Sequence, residues 1–93
     1  MANKTIYSGH AKNQYILGNF ERLMKNFEGA KMISRAGNDF ETILYSYYIE
    51  PQNVTLQYQN KSDGPDSEVK VVLYGHEKDI SEIEKKIAEG AKK

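Results

Sequence analysis

Two periodicities divide this chain. Between residues 13 and 29, Ile16, Leu17, Phe20, Leu23, Met24 and Phe27 recur at i, i+1, i+4, i+7, i+8 and i+11. That spacing is the apolar stripe of an amphipathic helix. Asn13 is placed to cap its start, and Gly29 stands where a C′ glycine ends a helix. Gly18 falls one position off the stripe, where a missing side chain lets another backbone come close. After Gly29 the period changes to two. Residues 31–35 and 40–49 flank a Gly37-Asn38-Asp39 turn and read as a hairpin. Residues 54–59 and 69–74 alternate cleanly, with Val54, Leu56, Tyr58, Val69, Val71 and Leu73 on one side. A weaker strand is expected at residues 5–7. A last helix opens at Asp79, with Glu82 three residues on as in a capping box. Ile80, Ile83 and Ile87 form its narrow stripe, and Glu82 and Lys86 an i,i+4 ion pair.

Strands joined by short turns make an antiparallel meander. The predicted fold is therefore α+β: an antiparallel sheet of four to five strands, in the order β-α-β-β-β-β-α, with two helices packed on one face. Residues 1–93 form one domain without repeats or linkers. Phe20, Leu23, Met24, Phe27, Val54, Leu56, Val69 and Val71 are its expected core.

The segment from Phe40 to Ile49 stands apart because both of its faces are bulky. Phe40, Leu44 and Tyr48 alternate with Ile43, Tyr45, Tyr47 and Ile49. A sheet with one face in water has no need of this, so a helix, a second copy or a flat ligand is expected over the second face. Tyr45, Tyr47 and Tyr74 are assigned to the face opposite the cleanest apolar alternation. With Val72 and Lys70 they make the expected binding surface, since tyrosine offers large contact area at low entropic cost.

Composition removes several kinds of chemistry. There is no cysteine, which excludes disulfides, thiolate metal sites and thiol nucleophiles. No apolar run is long enough to span a bilayer, and the first residues lack a signal peptide's apolar core, so a cytoplasmic protein without a membrane partner is expected. The 13 basic and 13 acidic residues cancel but are segregated. Residues 1–36 carry six Lys/Arg against two Glu (+4), residues 37–77 two Lys against seven acids (−5), and the remainder five Lys against four acids (+1). A zero sum lacks the basic footprint of a duplex-binding protein.

Candidate chemistry is sparse. His10 and His76 are the only histidines, and neither has a positioned partner in sequence. The run His76-Glu77-Lys78-Asp79 is better spent on starting a helix than on a metal. Asp63, Asp66 and Glu68 do not follow calcium-loop spacing and read as a solvated hairpin tip. No metal site, cofactor or catalytic residue is expected.

The function expected from these residues is binding rather than catalysis. The chain reads as a small intracellular regulatory module, homo-oligomeric, meeting a protein partner through its tyrosine-rich sheet face. A compact chain without catalytic motifs also suits a virus-encoded inhibitor of a host protein. The alternative is an oligomer that sequesters or senses a nucleotide-like anion between subunits. Arg22, Lys25, Lys31 and Arg35 would then supply the charge and tyrosines the stacking.

Overall fold

The computed structural model describes residues 2–37, 42–61 and 67–90. Five strands and two helices follow in the expected order: β1 (Ala2–His10), α1 (Leu17–Lys25), β2 (Ala30–Ala36), β3 (Thr42–Ile49), β4 (Val54–Lys61), β5 (Glu68–Gly75) and α2 (Glu77–Gly90). The strands β2 to β5 form an antiparallel meander. The first strand then adds to its far side, giving the order β1-β5-β4-β3-β2 with β1 and β2 at the edges. Both helices pack on one face of this sheet, as the alternation predicts. Among the described residues, no element covers the other face.

Pairing decides which residues meet the helices. Across β3 and β4, Tyr45 lies opposite Tyr58, Tyr47 opposite Leu56 and Ile49 opposite Val54. Directly opposed residues share a face, so Tyr45 and Tyr47 join Val54, Leu56 and Tyr58 beneath the helices. They are only 1% and 5% exposed. This corrects the assignment of Tyr45 and Tyr47 to an outer binding surface. The parity of β3 follows from its pairing with β4, and its own two apolar faces did not reveal it. Leu44 and Tyr48 take the open face, where they are half-buried. Phe40, the Asn38-Asp39 turn and the acidic tip with Asp63 and Asp66 lie outside the described residues.

The core combines that face with Phe20 and Met24 of α1 and Ile80, Ile83 and Ile87 of α2. Of the expected core residues, Leu23 and Phe27 are only partly buried. The Phe20 ring stacks on Tyr58 with centroids 4.4 Å apart and meets Tyr47 edge-on at 6.2 Å. The Tyr58 hydroxyl accepts from Asn60 Nδ2 at 3.0 Å and donates to the Tyr15 carbonyl at 2.7 Å. Tyr15 in turn stacks on Tyr7 at 4.1 Å. These contacts dock the chain before α1 begins. As a result Asn13 opens a short 3-10 turn (Asn13–Tyr15) and is not the cap of α1, whose N-cap is Ile16 in extended conformation.

Three further local expectations change. The helix stops at Lys25, and Gly29 instead serves the start of β2. Its φ is +89°, and an added Cβ would sit 2.1 Å from the Glu50 carbonyl oxygen. That close approach allows Glu50 N–H to donate to the Gly29 carbonyl at 3.0 Å. No backbone approaches Gly18, since a Cβ there would meet nothing within 4 Å. The last helix starts at Glu77, two residues before the expected Asp79, with Ile80 N–H donating to the His76 carbonyl at 2.9 Å. Its Glu82–Lys86 pair forms at 3.7 Å, and Glu84 reaches Lys4 of β1 at 2.7 Å. Both ion pairs are exposed and each contributes at most ~1 kcal/mol.

These contacts make opposite predictions for three substitutions, each measured by urea unfolding. Phe20→Ala should lose about 3–5 kcal/mol, the usual cost of removing a buried aromatic. Gly29→Ala should also destabilise, because its Cβ collides with backbone. Gly18→Ala should stabilise by about 0.5–1 kcal/mol, since it fills open space and lowers helix-forming entropy loss. A neutral Phe20→Ala would rule out the ring as the anchor of α1.

Candidate functional site

The register divides the five residues expected to form one surface. Tyr45 and Tyr47 lie under the helices, whereas Lys70, Val72 and Tyr74 lie on the open face, where Tyr74 donates to Gln57 Oε1 at 3.3 Å. Lys70 is exposed, and Val72 and Tyr74 are half-buried. The cations of the alternative site fare differently. Lys31, opposite Tyr48, points to the open face. Arg22, Lys25 and Arg35 come together.

They meet at a groove of about 520 Å³ between α1 and edge strand β2. Its sides are Gly18, Glu21, Arg22 and Lys25 of α1, and Ala30, Met32 and Arg35 of β2; Tyr45 and Tyr47 of β3 stand at its back. The groove exists because α1 is held over β3 and β4 by Phe20. A helix about 10 Å across covers roughly two strand spacings of ~4.8 Å, so the next strand outward has no roof. Arg22 and Lys25 occupy the last turn of α1, where positive charge also complements the helix carbonyls.

Electrostatics tie the two walls together through Tyr45. Its hydroxyl donates to Glu21 Oε1 at 2.7 Å, and the Arg35 guanidinium carbon lies 5.3 Å from its ring centroid. The second contact is a cation–π arrangement that contributes about 0.5–1 kcal/mol at an exposed site. Around the groove three cations face one carboxylate, a net of +2. With Tyr45 and Tyr47 so thoroughly buried, neither has a ring face free to stack on a nucleobase.

No protein-family model matches this chain, and neither does any curated protein or solved structure. Its chemistry is therefore read from its own geometry. Both histidines are exposed. Among the described residues, no three His, Asp or Glu side chains gather in a way that could hold a metal ion. No helix among them is long and apolar enough to cross a membrane.

The groove was partly legible in the sequence. The four cations were singled out by charge, but only pairing shows that Lys31 leaves the set. Glu21 was missed: on the helix stripe it is one more polar residue, and nothing local marks it as the partner of Tyr45.

Burial pushes the Tyr45 hydroxyl up to about 12, helped by its hydrogen bond to Glu21 and that carboxylate's charge. Burial also raises Tyr15, Tyr47 and Tyr58 above the ordinary value of 10.0. The unfolded chain thus releases these protons first. Stability held by the neutral hydroxyls is complete below pH ~10 and falls as pH rises through the folded values. Alkaline unfolding followed with tyrosinate absorbance should show this loss, and Tyr45→Phe should remove the transition at highest pH. Ionisation of every tyrosine near pH 10 with no loss of stability would contradict the burial of this cluster.

Proposed function

We propose that this protein is a non-catalytic binding module that takes an anionic partner at the groove between α1 and β2. One observation carries the reading: Arg22, Lys25 and Arg35, from two different elements, border a single open groove. Such a cluster steers an anion and aligns it, with an attraction that weakens as salt rises. This site replaces the tyrosine surface as the place of binding. An intracellular regulatory role, including inhibition of another protein, belongs to the same reading. Sequestering a nucleotide has less support, because the tyrosines that would stack its base are buried and the cations stand exposed to water.

The test is an NMR titration with inorganic tripolyphosphate and, separately, an oligoglutamate peptide. Amide shifts should move along residues 18–25 and 30–35, shrink at high salt, and weaken about tenfold in Arg35→Glu. Shifts confined to other surfaces, or none with either probe, would remove the groove as the binding site.

A further inference from the structure

We infer that the partner is an extended acidic segment of another protein, which adds to the free edge of β2 as a sixth strand. This rests on the groove reading above and specifies how the groove is filled. As an edge strand, β2 turns one row of backbone donors and acceptors away from β3. Every residue from Lys31 to Gly37 is exposed, and Met32 and Ile33 are 46% and 58% so. An edge that presents unpaired backbone beside exposed apolar side chains is a template for strand addition.

The other edge differs. On β1, Ile6 and Tyr7 are half-buried, the exposed positions are Asn3, Lys4, Thr5, Ser8, Gly9 and His10, and Lys4 is tied to Glu84 of α2. It offers pairing groups without an exposed large apolar side chain.

Charge selects the occupant. The sequence of β2 places Lys31 and Arg35 symmetrically about Ile33. A second copy paired along this edge would bring up a strand that itself carries two cations and no acidic residue. Like charges brought within a strand spacing of one another disfavour that pairing. A segment with two acidic residues three apart and an apolar residue between them reverses the sign and, like Tyr45 and Tyr48 on β3, matches the two faces on which Arg35 and Lys31 lie. On the helix side, its acid beside Arg35 also faces Arg22 and Lys25 across the groove, while an apolar residue covers Met32. On the open face, the second acid meets Lys31. The bulge in β2 between Met32 and Ser34 turns Ile33 out of strict alternation, which narrows the registers a partner strand can take.

Three synthetic peptides decide between strand addition and charge alone. The first is a capped heptapeptide, Thr-Val-Glu-Thr-Val-Glu-Thr, whose glutamates are three apart and so fall on opposite faces of a strand; the other two have the same sequence with alternate amides N-methylated, one for each of the two alternations. Binding is read on the unmodified protein by amide shifts and by hydrogen exchange of residues 30–36. The plain peptide should shift and protect those amides, and one of the two N-methylated forms should lose about tenfold or more in affinity. Replacing both glutamates by lysine should abolish binding. Equal affinity for all methylated forms, with tripolyphosphate still bound, overturns strand addition while the anionic groove stands. Failure of the peptides and of both anionic probes overturns the two together. Protection of residues 30–36 that grows with protein concentration alone, accompanied by dimer in sedimentation, assigns the edge to a second copy and overturns the acidic partner.

Discussion

The stack of Phe20 on Tyr58 is the contact from which the rest of the molecule is arranged. Phe20 is the large residue at the centre of α1's apolar stripe, and Tyr58 is an inward position of the inner strand β4. Burying a ring of this size contributes about 1.5–3 kcal/mol, and ring geometry adds about 0.5–1.5 kcal/mol. Around that pair the polar ends are satisfied. Tyr58 holds Asn60 and the Tyr15 carbonyl, and Tyr45 holds Glu21. Five of the seven tyrosines (7, 15, 45, 47 and 58) belong to this ladder of rings. The abundance of tyrosine is thus chiefly a feature of the core.

The same contact creates the site. With α1 docked on β3 and β4 through Phe20 and Glu21, and α2 on β1, β4 and β5, two helices leave one strand of five without a roof. The residues bordering the gap are those that α1 and β2 cannot bury against each other, and three of them are cationic. Exposed charges are weak contributors to stability, so their placement costs the fold little. Their attraction for an anion would be felt at short range, where Coulomb energy is largest. Edge position and positive charge thus coincide at one place, and in the binding reading proposed above the backbone would offer direction and the side chains sign.

The open face of the sheet illustrates how partial burial arises without a covering layer. Leu44, Tyr48, Val72 and Tyr74 are half-buried, and Ser46 is buried, although no described element lies over them. Neighbours within the sheet shield one another, and the hydroxyls of Tyr48 and Tyr74 find partners in Asn53 and Gln57. Bulk on both faces of β3 is thus partly screened within the sheet itself.

What the sequence determined by itself was everything that repeats. The strict alternation of Val54, Leu56 and Tyr58 with Thr55, Gln57 and Gln59 names an inner and an outer face without reference to any other strand. The stripes of Phe20 and Met24 and of Ile80, Ile83 and Ile87 do the same for the helices. These patterns gave the element order, the fold class and most of the core. Tertiary structure decided what a period of two cannot express when both phases are apolar. Ile43, Tyr45, Tyr47 and Ile49 and the alternate set with Leu44 and Tyr48 each satisfy local alternation. Only the pairing of Tyr45 with Tyr58 sends the first set inward. It likewise decided that Arg22 and Lys25 face Arg35 while Lys31 does not, because side-chain direction on an edge strand is set by the strand it pairs with.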